Sequence, residues 1–295
     1  MIKVFSARGF SGLWLGSTAS GLATWGLPFI LGIAVTQSVL NAIDLGIVLA
    51  LRTAGFLAIL PVSGVLADRN AKRKVVLWAS VAAAVAIPII ALGMNMNGGW
   101  GLAIMGLGAV VAGTGQGACR PSYQGLVPLV VPNEMLRQAN AAMSVSVRVT
   151  NLLGPAMATG IAIVWGLNAA LLALLVLWLL SAFGPPWPSE GEAVSRDRVG
   201  SNALGRFWGE TLEGLREAKR HPWFMAGLMA LTAVIAFGYS VSSVVVPILS
   251  VEYYGGTLLL AGSATAYTAG ALFGALFISH LSEKVPGWIA LGGLA

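Results

Sequence analysis

The stretch from Val75 to Cys119 reads VVLWASVAAAVAIPIIALGMNMNGGWGLAIMGLGAVVAGTGQGAC and contains no Asp, Glu, Lys or Arg. A helix rising 1.5 Å per residue needs about 20 apolar residues to cross about 30 Å of hydrocarbon. This run is long enough for two crossings, and the polar, glycine-rich break Asn95 to Gly99 divides it into an antiparallel pair. Barrel strands would show about 10-residue segments alternating apolar and polar side chains, whereas this stretch is solid Val, Ala, Ile, Leu and Gly. Helices are the fold it dictates.

Working outward, the same signal recurs from Gly9 to Ile43, Val149 to Ser189, His221 to Val251 and Tyr253 to Ser282, none of which carries Asp, Glu, Lys or Arg. The predicted spans are 10–35, 43–67, 75–94, 100–120, 138–163, 167–184, 223–249 and 258–281, with a ninth beginning near Pro286. Composition agrees: 57% of the 295 residues are hydrophobic and 9% are charged, against roughly 25% charged in a soluble chain. The fold class is an all-α integral membrane protein. Lys3 and Arg8 precede the first run, but that run far exceeds the about 7–15 residues of a signal-peptide core, so it reads as a span.

Basic residues set the orientation, because they favour short cytoplasmic loops. Of the 17 Lys and Arg, only Arg52 and Arg148 lie inside spans; all the others fall in the inner segments of a topology with a cytoplasmic N-terminus. The expected location is therefore a plasma membrane of bacterial type, with the lipid bilayer as the first partner.

One long polar stretch, Pro185 to Arg220, separates a six-helix bundle at 1–184 from a second, incomplete bundle at 223–295, with 185–222 as a cytoplasmic loop. Within it Leu204, Phe207, Trp208, Leu212, Leu215 and Ala218 recur at helical spacing opposite Arg206, Glu210, Glu213 and Glu217. That pattern predicts an amphipathic helix on the inner leaflet, with a solvated linker as the alternative. A weak internal repeat, Gly55 to Arg69 against Gly270 to Lys284, ends both copies on an acid followed by a base.

The run Gly64-Val65-Leu66-Ala67-Asp68-Arg69-Asn70-Ala71-Lys72-Arg73-Lys74, between the second and third spans, resembles the Gly-x-Leu-x-Asp-Arg-x-Gly-Arg-Arg signature of the major facilitator superfamily. Pro121 to Pro128, Leu136 to Ala141, Leu153-Gly154-Pro155-Ala156, Leu212 to Leu215 and Arg220-His221-Pro222 are similar to its enterobactin-exporter-like branch. The resemblance departs at Ala71 and Ala158, where that family commonly has Gly. It implies a proton-coupled antiporter that exports a siderophore-like or amphipathic small molecule by alternating access of two bundles. It also implies about twelve spans, so the chain, reaching its ninth, reads as C-terminally truncated. A non-transporting membrane protein or partner subunit is the alternative.

By the same resemblance, Gly64, Asp68, Arg69 and Arg73 form a cytoplasmic gate, with loop capping and retention by anionic lipid as the plainer role of the charges. Arg148 lies about 16 Å into the fifth span, where a charge is costly. It shares a helix face with Arg137, Asn140, Ser144, Asn151 and Pro155, so the stripe serves either a substrate or proton pathway or a structural interhelical contact. Arg52 is similarly deep. Asp44, eight residues before it, is the best candidate to carry the coupling ion, with helix N-capping as its alternative. The pathway set is thus Asp44, Arg52, Arg148 and Asn151, and Gly154-Pro155 is a hinge or a packing notch.

Other chemistry is excluded on composition. The lone Cys119 and two histidines, His221 and His280, leave no material for a metal centre. The glycines of the fourth span lack the Lys-Ser/Thr of a phosphate loop, and no nucleophile triad or paired acids are present. No cofactor, no enzyme activity and no nucleic acid are expected.

Overall fold

The computed structural model describes residues 2–7, 9–69, 72–96, 98–187 and 219–234. The predicted inner-leaflet helix, most of the seventh span, the eighth and ninth spans and the second copy of the repeat lie outside these residues. The chain divides into two compact units, Met1–Val199 and Gly200–Ala295.

All regular structure among the described residues is helical. In the first unit, α1 spans Phe10–Thr36, α2 Ala42–Arg69, α3 Lys72–Met94, α4 Gly99–Val130, α5 Leu136–Trp165 and α6 Leu167–Phe183. Short 3-10 turns, Ile2–Ser6 and Asn133–Met135, precede α1 and α5. In the second unit the described element is α7, Pro222–Ala233, opening on a proline at the one helical position where the missing N–H costs nothing. Five helices of the first unit are long and apolar enough to cross a bilayer, and α6 is a shorter apolar helix. The chain is an all-α, multi-pass membrane bundle.

The structure departs from the predicted spans at α4, which runs ten residues beyond the expected end at Arg120 to reach Val130. The charge at Arg120 does not end the helix, because its long, exposed side chain can carry its head out to water without breaking the backbone. Pro121 and Pro128 also sit within the helix. Each removes only its own backbone donor, which a membrane helix tolerates when neighbouring groups take up the freed carbonyl.

The six helices pack in the order α2, α4, α3, α6, α1, α5. Apolar burial distinguishes helix from helix poorly inside lipid, so close approach through small residues decides the packing. A Cβ on Gly113 would run into the Arg52 carbonyl oxygen, and one on Gly55 into that of Val110, which locks α2 onto α4. On the opposite side of α4, a Cβ on Gly115 would lie 2.5 Å from the Ala79 oxygen of α3. Ile87, Ile90, Leu126 and Leu174 fill the interior behind these contacts. At the start of α1, Gly9 has φ +91°, a conformation open to glycine, and Pro186 fills the space a side chain would need.

Candidate functional site

α1 and α5 run parallel in a constant register. Trp14 Nε1 donates to the Ala142 carbonyl at 3.0 Å, and one turn on the Thr18 and Ser146 hydroxyls are 2.7 Å apart. After another turn Gly21 packs on Thr150, and then a Cβ on Gly154 would meet Trp25 Cβ at 3.0 Å. Side chains three and four apart share a helix face, so this ladder holds one polar face of each helix at a fixed depth.

Those faces, with α4, enclose a cavity of about 410 Å³. From α1 it takes Ser17, Ser20, Gly21, Thr24 and Trp25; from α4, Gln116, Cys119, Arg120, Tyr123, Gln124 and Val127. From α5 it takes Asn140, Met143, Ser144, Ser146, Val147 and Thr150, and Trp178 of α6 completes the wall. The α5 residues span ten positions, about 15 Å of helix axis. The volume lies within the about 300–1,000 Å³ of small-molecule pockets. Its wall is rich in hydroxyls and amides with two indoles, and among the described residues lining it Arg120 carries the only charge.

A buried network closes one side. Ser80 of α3 and Ser181 of α6 share a 2.8 Å hydroxyl contact, Tyr123 Oη donates to the Ser181 carbonyl at 2.9 Å, and Cys119 Sγ lies 3.4 Å from the Ser80 hydroxyl. Buried polar groups that are fully paired hold their helices in one arrangement. Tyr123 and Cys119 therefore present a fixed surface to the cavity.

Arg52 stands directly behind the opposite wall. Its Nη2 donates to the Thr24 carbonyl of α1 at 2.9 Å and to Gln116 Oε1 of α4 at 2.7 Å. Thr24 is the residue four before Pro28, whose ring nitrogen has no hydrogen, so this carbonyl lacks its helical donor. A charge at the membrane centre costs about 2.5–3.5 kcal/mol, and two hydrogen bonds to a charged group contribute about 1.5–3 kcal/mol each. The two contacts are enough to hold Arg52 where it is.

The other predicted residues are distributed unevenly. Asn140 and Ser144 line the cavity, whereas Arg148 and Asn151 are exposed on α5 and do not. Arg148 and Thr150 are two residues apart, hence about 200° apart on the helix wheel, and the seam with α1 has turned the Thr150 side inward. Asp44 lies in the first turn of α2, where Asn41 Oδ1 accepts the Asp44 N–H at 2.8 Å, and it does not line the cavity. Gly154 packs on α1, and α5 continues unbroken through Pro155. Gly64, Asp68 and Arg69 fall in the last turns of α2, and their side chains lie outside the described residues.

Arg73 is 1% exposed. Its Nε donates to the Pro185 carbonyl at 2.8 Å, and its guanidinium carbon lies 4.9 Å from the centroid of Trp187. It thus clamps the segment after α6 to the start of α3. Sequence reasoning missed that contact, and it missed most of the cavity. The signal was present as Ser17, Ser20 and Thr24 in α1 and Gln116, Arg120 and Gln124 in α4, each set at helical spacing.

A family profile described as the Major Facilitator Superfamily matches residues 13–295. The chain belongs to the major facilitator superfamily. That family consists of membrane transporters and not of enzymes, which accords with a hydroxyl-lined cavity inside a helical bundle. This major facilitator chain is also similar to macrolide efflux protein A of Streptococcus pyogenes and to the protein of that name in S. pyogenes serotype M6, strain ATCC BAA-946 / MGAS10394. It is 24% identical to each over 278 residues, covering 91% of this chain and 65% of theirs. The chain therefore spans just under two thirds of the length of these relatives.

Proposed function

We propose that this protein is a secondary exporter that moves a small amphipathic molecule, of the macrolide or siderophore kind, out of the cell by alternating access. The observation carrying the reading is the cavity of α1, α4 and α5. It is large enough for a drug-sized molecule, and it combines indole faces with hydroxyl and amide groups that would orient one. The likeness to macrolide efflux proteins supports outward movement. The proton gradient is the driving force in this reading, carried over from the family resemblance. In this reading Asp68 and Arg69, with Arg73 holding the start of α3, form the inner gate, and the basic residues between the spans support a cytoplasmic N-terminus in a plasma membrane. Pro155 supplies a point of bending in α5, and Arg148 and Asn151 belong to a later part of the pathway.

The test is accumulation of radiolabelled erythromycin in cells that lack their own macrolide efflux and express the full chain. Lower accumulation than in control cells, restored by a protonophore, is the expected result. Equal accumulation in both, across a panel extended to a catecholate siderophore, would overturn the reading.

A further inference from the structure

The contact between Arg52 and Gln116 has a directional consequence. A guanidinium has five N–H donors and no acceptor, so it can face only the oxygen of a carboxamide. Gln116 Oε1 is held at 2.7 Å, and the second hydrogen on the same Arg52 nitrogen is taken by the Thr24 carbonyl that Pro28 leaves open. With its oxygen engaged behind the wall, Gln116 has only its two N–H groups to offer the cavity it lines.

The charge balance points the same way. Arg120 lines the cavity, no Asp or Glu does so among the described residues, and Arg52 sits one side chain behind the wall without an acidic hydrogen-bond partner among them. A positive field with outward-facing donors favours groups that accept hydrogen bonds against this part of the wall and keeps an ammonium group away from it.

We infer that Arg52 is a positioning residue that fixes the Gln116 amide with its donors toward the cargo, so that this part of the wall holds cargo through carbonyl, lactone or carboxylate oxygens, and the ammonium group of a cargo such as erythromycin lies away from it. This rests on the reading of the cavity as the cargo site and specifies its chemistry. Pro28, one turn beyond Thr24 in α1 and not itself a lining residue, contributes by creating the acceptor that anchors Arg52.

Two xanthene dyes of similar skeleton and opposite charge provide the test: anionic 5-carboxyfluorescein and cationic rhodamine 6G. Binding is read by fluorescence anisotropy on the purified full chain in zwitterionic nanodiscs, with empty nanodiscs subtracted. The wild type is expected to prefer carboxyfluorescein. Gln116→Glu, which puts an acceptor where the donors stood, should move the preference toward rhodamine 6G by about tenfold, and Arg52→Gln should weaken carboxyfluorescein binding by about fivefold with little change for rhodamine 6G. A merely structural role for Arg52 would lower both affinities together, leave their ratio unchanged and overturn the inference. Wild-type binding of both dyes with a ratio that Gln116→Glu does not move would also overturn it while leaving the cavity as a binding site. Binding of neither dye would overturn the cavity reading itself.

Discussion

Arg52 donates a 2.9 Å hydrogen bond to the carbonyl of Thr24, the one carbonyl in that turn of α1 whose helical donor is removed by Pro28. A proline in one helix and an arginine in another are thereby parts of one device. Pro28→Ala would return the missing N–H to Thr24 and remove the need for Arg52 there. Arg52→Gln should therefore destabilise the wild type more than it destabilises the Pro28→Ala background, with a coupling of about 1 kcal/mol. Detergent-induced unfolding of the four proteins of the cycle measures it; additive effects would separate the two residues.

The seam between α1 and α5 gives a second expectation. Thr18 and Ser146 are 2.7 Å apart, and each belongs to a polar stripe that also borders the cavity. Interhelical hydrogen bonds in membrane proteins contribute about 0.6 kcal/mol on average and up to about 1.7 kcal/mol. Thr18→Val with Ser146→Ala should show a coupling in that range, together with weakened retention of cargo as the stripe loses its fixed depth.

Glycine positions sort by what they touch. Gly113→Ala drives a methyl group into the Arg52 carbonyl and should destabilise the protein by about 1–3 kcal/mol as α2 and α4 separate. Gly32, in α1, has nothing within 4 Å of where its Cβ would be, so Gly32→Ala should change stability by no more than about 0.5 kcal/mol. Thermal unfolding in detergent distinguishes the two.

Trp187 stacks on the buried Arg73 guanidinium, and Pro185 accepts its Nε hydrogen. Trp187→Ala should cost about 0.5–1 kcal/mol, since the ring is 59% exposed although the guanidinium it covers is buried. Arg73→Lys should cost as much or more, because an ammonium has no planar face to stack and cannot serve both contacts in the same geometry. A lysine variant as stable as the wild type would show that charge alone suffices at this position.

Much of the bundle was legible because lipid imposes a simple rule: charge-free runs of sufficient length become spans, and α1, α2, α3 and α5 begin and end within about three residues of the predicted spans, at returning charges or at the polar and glycine-rich breaks inside those runs. Arg120 misled at the end of α4 because a side chain that reaches water does not stop a helix. Arg52 stood out in the sequence as a charge inside a span, but its partners Thr24 and Gln116 were not readable, since they depend on how α1 and α4 pack around α2. The stripe on α5 was half legible. Its periodicity placed Asn140, Ser144, Arg148 and Asn151 on one face, but only Asn140 and Ser144 line the cavity, while Arg148 and Asn151, one and two turns further along α5, are exposed and do not. The hydroxyls of α1 were overlooked because Ser and Thr are common in membrane helices, and their significance lies in what stands opposite them.

The central claim is that the cavity of α1, α4 and α5 carries the cargo, and filling it is the most direct test. Ser20 lines the cavity, and its hydroxyl bonds only within its own helix, to the Ser17 carbonyl at 2.8 Å. Ser20→Trp would therefore occupy the cavity without breaking an interhelical hydrogen bond. Erythromycin efflux is compared in cells expressing equal, membrane-inserted amounts of the two proteins. Efflux by the wild type and a loss of at least about tenfold in the variant are expected. Equal efflux by both proteins would contradict the claim.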